Sequence, residues 1–379
     1  MKAHMVEQYT ALPDKPTFDI FCKVVDNFGD IGVAYRFACQ LAHERGFAVR
    51  LIVDRLDIVK IFVPTLDPAL PSQVRDDITF LSWSEELLLT TYGKPAGVVV
   101  ETFGCSLPTF VMELLKDANT RWVDLEYLSA ESWVPRFHAI PSPEPQTGLD
   151  RTLFFPGFTP DTGGLLREAD LLKQRDAFQL DLTQQNMWRQ AHSLPAIAAD
   201  FIDVSLFCYP TAPISLLAES LAQCNQPIRV FLTEGVPPET ERIISAIAPE
   251  VPIYKLTFLS QPDFDRLLWT CSLNFVRGED SFVRAIWAGR PFIWNIYPQE
   301  KEAHLRKLRA FLAIYKDNIA LPGFASLEKL LVLWNEGGTE KIDLCALVAN
   351  LAPEARSFAD QLAAHGDLVS KLVAFLRRE

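Results

Sequence analysis

Short apolar runs rich in β-branched and aromatic residues alternate along the chain with stretches whose apolar positions recur at helical spacing. Residues 18–25 read as a buried strand. Val33, Phe37, Ala38, Leu41 and Ala42 then mark one face of a helix that Gly46 is placed to end. Strand-like segments follow at 48–53, 78–81, 97–100, 121–127 and 152–155. The stretch 135–148, rich in proline and polar residues, reads as a loop. A second series begins at 204–209 and continues at 228–233, 253–258, 273–276 and 292–296, with helical patterns such as 238–248 and 280–288 in between. From residue 300 the pattern is helical to the end.

This alternation predicts an α/β protein with parallel sheets joined by crossover helices. At 379 residues the chain is too long for one ordinary core, and the two βα series predict two domains around a ligand cleft. The expected boundaries are 1–185 and 186–352, with the charge-rich helical segment 164–192 as the connection. A last helix, 353–379, is expected to pack back on the first domain. Ligands of open α/β sheets sit beyond the carboxyl ends of the strands, so the loops after the strands are the places to search.

Composition narrows the partners. With 49% hydrophobic and 22% charged residues, the chain has the make-up of a folded globular protein. A formal net charge of -12 opposes nucleic-acid binding, which needs a concentrated basic face. The seven cysteines are scattered and never spaced as CxxC, so a zinc site and a disulfide framework are not expected. The first sixteen residues carry no apolar signal core, and no stretch approaches the ~18 apolar residues of a membrane span. A cytoplasmic protein with no membrane partner is the expectation.

Two loops carry candidate chemistry. Asp26-Asn27-Phe28-Gly29-Asp30-Ile31-Gly32 follows the first strand and opens the first helix. Its glycines permit a tight turn and close approach of a ligand, and Asp26 and Asp30 are spaced to face the same cleft. The structural alternative is that Asp30 merely caps the helix, worth roughly 0.5–2 kcal/mol, and that Asp26 closes an Asx turn. The segment is not a GxGxxG fingerprint, which removes the main support for a nicotinamide enzyme. Arg277-Gly278-Glu279-Asp280-Ser281 follows the predicted strand 273–276 and opens the helix 280–288. Helix N–H groups, Arg277 and Ser281 suit a phosphate. Glu279 and Asp280 would repel one and are better placed for sugar hydroxyls, a base edge or backbone N–H groups. Here too, simple capping by Asp280 or Ser281 is the alternative.

Taken together, the segments are far more specific. Residues 21–32 (Phe-Cys-Lys-Val-Val-Asp-Asn-Phe-Gly-Asp-Ile-Gly), 277–281 and 205–209 (Ser-Leu-Phe-Cys-Tyr) resemble the signatures of the bacterial protein-arginine rhamnosyltransferases, the EarP family. The resemblance runs from about Phe18 to the C-terminus. One departure is Tyr35 before Arg36, where the family usually has tryptophan.

The resemblance implies a GT-B fold, two Rossmann-like domains facing each other across a cleft, with the acceptor side in the first and the nucleotide sugar in the second. It implies an inverting transfer of L-rhamnose from dTDP-β-L-rhamnose to an arginine of elongation factor P, with no metal or further cofactor. It favours Asp30 as base, Asp26 as its supporting partner and Glu279 as an aid to placing acceptor or sugar. Asn27, Phe28, Gly29, Phe207, Tyr209, Phe258, Gln261, Arg277, Glu279, Asp280 and Ser281 are the expected donor-binding residues. Among 26 phenylalanines most must be core, so packing is the competing role for each aromatic.

An alternative is a GT-B enzyme using another nucleotide sugar and a small-molecule or lipid acceptor, although the chain shows no membrane-facing basic or apolar stretch. A binding module without catalysis belongs to a different class; retention of both acids and of the second loop argues against it.

Overall fold

The structure, a computed structural model, describes residues 17–26, 28–299, 302–318 and 324–378. By its contacts the chain divides into two compact units. One comprises Met1–Glu126 with Ala139–Phe154, the other Tyr127–His138 with Phe155–Glu379.

The first unit is built on an eight-stranded sheet: β1 (Thr17–Cys22), β2 (Ala48–Val53), β3 (Ser72–Arg75), β4 (Ile78–Ser82), β5 (Val98–Thr102), β6 (Arg121–Leu125), β7 (Ile140–Pro141) and β8 (Arg151–Phe154). Their spatial order is β3-β4-β2-β1-β5-β6-β8-β7. The six inner strands are parallel, and only the edge strands β3 and β7 run antiparallel to their neighbours. The inner order is that of a doubly wound Rossmann sheet, whose direction of winding reverses between β1 and β5. Burial of both faces explains the near-continuous apolar runs of β1, β2 and β5. The two edge strands escape a reading of pattern alone. β3 is Ser-Gln-Val-Arg, and β7 is a two-residue strand inside the stretch 135–148 that reads as a loop.

The second unit carries a five-stranded parallel sheet: β9 (Ile202–Leu206), β10 (Ile228–Leu232), β11 (Ile253–Lys255), β12 (Leu273–Arg277) and β13 (Phe292–Asn295). The order is β11-β10-β9-β12-β13, with the reversal between β9 and β12. One device recurs in both units. Asp19 and Arg50 are register partners on β1 and β2, and Asp203 and Arg229 are register partners on β9 and β10. Each pair is bidentate, with N–O distances of 2.5 and 2.6 Å in the first and 2.6 and 2.9 Å in the second. Removing one partner of such a buried pair costs about 3–5 kcal/mol.

Three expectations need revision. Residues 155–185 pack with the second unit, because the helix Leu171–Leu180 hydrogen-bonds into it: Arg175 Nη1 donates to the Trp287 carbonyl at 2.9 Å and Gln179 Nε2 to the Ala288 carbonyl at 3.0 Å. The final helices also belong there. Leu344–Ala363 continues past Pro353 and buries Phe358 and Leu362 in that unit's core, and Leu368–Arg378 ties down the segment 160–165. Lys371 Nζ donates to the Thr162 carbonyl at 2.7 Å and Leu368 N–H to the Leu165 carbonyl at 3.0 Å. Finally, Cys224 and Cys345 form a disulfide across 121 residues, a pairing that spacing does not reveal.

Candidate functional site

In the first unit the acids of the opening loop sit at the carboxyl end of β1, beside the reversal of the sheet. The helix Gly29–Cys39 begins earlier than a capping role for Asp30 requires. Phe28 occupies the N-cap position without a side-chain cap, and Asp30 lies in the first turn. Its carboxylate turns back instead: Oδ2 accepts the backbone N–H groups of Val25 and Asp26, each at 2.8 Å. Asp30 is buried, 3% exposed, and these donors and the helix N-terminus contribute to stabilising its carboxylate. That charge, second to burial, pushes the thiol of Cys22 upward.

Asp26 is half-buried and lies over Gly29. Gly29 N–H donates to the Asp26 carbonyl at 2.6 Å, and a Cβ added to Gly29 would stand 2.6 Å from Asp26 Oδ2. Any side chain at position 29 would therefore displace the Asp26 carboxylate, which only glycine leaves in place. The Phe28 ring packs edge-on against Phe62 at 6.1 Å. Asn27 lies outside the described residues.

In the second unit, four of the expected residues converge where β9 and β12 end. The Arg277 guanidinium lies over the rings of Phe207 at 4.1 Å and Tyr209 at 4.8 Å. Its Nη1 donates to the carbonyls of Cys208 at 3.0 Å and Gly235 at 3.1 Å. Burial pushes the Cys208 thiol up to about 12, against the opposing pull of Arg277. Gly278, at φ 63°, turns the chain into the helix Asp280–Ala288. Ser281 closes this turn, its hydroxyl accepting from Arg277 N–H at 3.0 Å and donating to the Arg277 carbonyl. Neither Asp280 nor Ser281 caps the helix, whose N-cap position is held by Glu279 without a side-chain cap; Arg277 and Ser281 are instead tied into the turn and the neighbouring loops. Asp280 stands in the helix's first turn, and the Glu279 carboxylate accepts the Leu128 N–H at 3.0 Å.

Phe258 and Gln261 follow β11, at the edge of the same sheet; both are half-buried, and Gln261 opens the helix Gln261–Thr270, whose cap is Ser260. Sequence reasoning missed Asn295, the last residue of β13, whose Oδ1 accepts the Tyr209 N–H at 2.8 Å and orients that tyrosine. It also missed Tyr297, whose ring meets Tyr209 edge-on at 5.5 Å. Their position at the carboxyl end of β13, the strand beside β12, is the one signal that pointed to them. Among the described residues, no group of three or more His, Cys, Asp or Glu is arranged to hold a metal ion.

The chain as a whole has counterparts among known proteins. The family profile described as elongation factor P (EF-P) rhamnosyltransferase EarP matches residues 18–377. A protein-arginine rhamnosyltransferase of Pseudomonas putida is 38% identical over 384 residues, covering 96% of this chain and 99% of that protein. A structure described as the basis for EarP-mediated arginine glycosylation of translation elongation factor EF-P superposes with a TM-score of 0.66 at 30% identity, covering 96% of this chain and 100% of that one. The spinosyn rhamnosyltransferase SpnG shares the fold at 13% identity, with a TM-score of 0.55 over 95% of this chain and 100% of that one. The fold class is therefore GT-B.

Proposed function

This chain belongs to the EarP family of glycosyltransferases, and we propose that it transfers L-rhamnose from dTDP-β-L-rhamnose to one arginine side chain of elongation factor P in the cytoplasm, inverting the anomeric carbon. The observation that carries this reading is the full-length family match together with both signature loops standing at sheet reversals.

An arginine is a poor nucleophile, being delocalised and protonated with a pKa above ~12. Releasing a proton at pH 7 costs at least ~7 kcal/mol. A positioned general base supplies about 3–5 kcal/mol, from 10²–10⁴-fold, so it is insufficient alone. Holding the guanidinium against the anomeric carbon adds ~7–11 kcal/mol.

Asp30 is assigned the proton and Asp26 the orientation of the guanidinium fork. A guanidinium nitrogen forms a bond to the anomeric carbon, the bond from that carbon to the diphosphate oxygen breaks, and dTDP leaves with the electron pair. Attack on the face opposite the leaving group inverts the centre. Charge growing on the diphosphate is met by Arg277 and the N–H groups that begin the helix Asp280–Ala288. Asn27, Phe28 and Gly29 complete the donor contacts from the loop that holds the acids. Phe207, Tyr209, Phe258 and Gln261 are assigned to the nucleotide, Glu279 and Asp280 to sugar or acceptor. Ser281 acts by fixing Arg277 and the turn.

The test mixes this protein, elongation factor P and dTDP-rhamnose and weighs the intact factor. A gain of one deoxyhexose, mapped to a single arginine, is the expected result. An unchanged mass, with a known family enzyme active alongside, would overturn the reading.

A further inference from the structure

Both loops of the second unit's site are held from the end of β13. The Asn295 side chain accepts the Tyr209 N–H at 2.8 Å, and its main-chain carbonyl accepts the Gly278 N–H at 3.1 Å. Beside it, Trp294 Nε1 donates to the Gly278 carbonyl at 2.7 Å, and its ring stacks on Phe282 at 3.9 Å. One strand end thus ties down the loop after β9 and the turn after β12. The first carries Phe207 and Tyr209; the second follows Arg277, whose guanidinium lies over those two rings. Arg277 Nη1 also donates to the Cys208 carbonyl at 3.0 Å, so a shift of residue 209 reaches the arginine through its neighbour.

What fixes this strand end lies 40 residues beyond Asn295 in sequence. Asn335 stands next to last in the helix Phe324–Glu336, which Gly337, at φ 85°, terminates. An asparagine side chain has two donor and two acceptor positions, and here all four are used. Oδ1 accepts the Ile296 N–H at 2.9 Å and Asn295 Nδ2 at 3.3 Å. Nδ2 donates to the carbonyls of Trp294 and Leu331, each at 2.8 Å. Three of the four bonds leave the helix, and they take residues 294, 295 and 296 in succession. Ending a helix requires none of them. The backbone partners also settle how both amides point. The Ile296 N–H only donates, so Oδ1 of Asn335 faces it; the Tyr209 N–H only donates, so Asn295 gives it Oδ1 and turns Nδ2 to Asn335.

We infer that Asn335 is a positioning residue for the nucleotide-sugar donor: acting through Asn295, it sets the end of β13 and with it Tyr209 and the turn that follows Arg277. This rests on the transferase reading above, in which Tyr209 and Arg277 meet dTDP. Asn295 is 2% exposed, so removing the Asn335 amide strands a buried donor. The Asn295 amide then turns towards another partner, and the Tyr209 N–H loses its fixed acceptor.

The experiment titrates dTDP calorimetrically into the full chain, beside thermal melts, for the wild type, Asn335→Ala, Asn295→Ala and the two changes combined. Each single change is expected to weaken dTDP about 5- to 30-fold. The combined protein is expected to lose no more than about twofold beyond the weaker-binding single variant, because both changes break one tie. Fold-losses that multiply in the combined protein overturn the inference, as does unaltered affinity in Asn335→Ala. Ser220→Ala controls for stability alone. Its hydroxyl accepts the Ile342 N–H at 3.2 Å, a buried bond of the same C-terminal segment. The melt of this control should fall with dTDP affinity within about twofold. A loss of affinity matching that of Asn335→Ala would overturn the positioning role. In transfer to elongation factor P, Asn335→Ala raises the donor KM by about the factor seen with dTDP and the acceptor KM by less than about twofold. An equal rise in both overturns the assignment to the donor.

Native-state amide exchange of the unbound wild type needs neither ligand nor variant. The Tyr209, Gly278 and Ile296 amides are expected to open together, responding alike to added denaturant. Opening of Ile296 at a rate about tenfold or more from that of the other two overturns the tie. Amides that open together in a protein that binds no dTDP instead overturn the donor reading and leave the tie standing.

Discussion

The Asp30 carboxylate accepts the backbone N–H of Asp26 at 2.8 Å, so the two acids of the opening loop are mechanically one object. The bond shared with Val25 N–H keeps Asp30 beneath the loop, and the loop in turn sets where Asp26 lies. Any change at Asp30 therefore acts twice, on a proton acceptor and on the backbone that carries its partner.

Asp30→Asn separates these effects, since an amide oxygen still accepts the two N–H groups but does not take the proton. Turnover is expected to fall about 10²–10⁴-fold while the protein stays folded. Steady-state rates beside a thermal melt check this, and full turnover in a folded variant would remove the assignment of the base.

Gly29→Ala places a methyl group 2.6 Å from Asp26 Oδ2, a distance that real Cβ atoms do not tolerate. Asp26 must move. The expected outcome is a fall in kcat of at least tenfold with little loss of stability, because what gives way is the end of a half-buried side chain and not backbone. Affinity for dTDP, read by calorimetry, is expected to change far less than kcat.

Arg277→Lys keeps the charge and loses the planar fork that bonds two carbonyls and lies against two rings. Affinity for dTDP should weaken by about 1–3 kcal/mol, roughly 5- to 150-fold. Isothermal titration with dTDP measures it; unaltered affinity removes Arg277 from the donor site.

His138 reports on stability rather than catalysis. Burial, then Lys371, push it down from 6.5 to about 4, and its Nδ1 accepts the Phe155 N–H at 3.1 Å. A histidine with a depressed folded pKa stabilises at neutral pH, and that contribution is lost as pH falls from 6.5 towards 4. Allowing for partial exposure, about 2 kcal/mol should disappear across this window. Urea unfolding of the wild type and His138→Gln at pH 7 and 4.5 tests this: the difference between the two proteins should shrink at the lower pH.

Chelation of divalent ions is expected to leave the transfer rate within about twofold, because Arg277 and helix N–H groups are assigned the leaving-group charge. A loss of most activity, restored by magnesium, would contradict that assignment.

Local pattern carried much of the fold. The eleven strands read from apolar runs all exist, because strands buried on both faces must be apolar and their flanking helices must repeat at helical spacing. The loops after β1 and β12 were legible for the same reason: glycines, acids and a helix start leave a mark within a few residues. Tertiary structure alone decided the rest. Whether Asp30 caps its helix or turns back on Val25 depends on where the loop backbone passes. The meeting of Arg277 with Phe207 and Tyr209 depends on β9 lying beside β12, about seventy residues apart in sequence. The pairing of Glu101 with Asp124, the disulfide between Cys224 and Cys345, and the home of the last two helices likewise join distant segments. A chain written in one dimension records what each residue prefers locally, and packing in three dimensions selects which of those preferences meet.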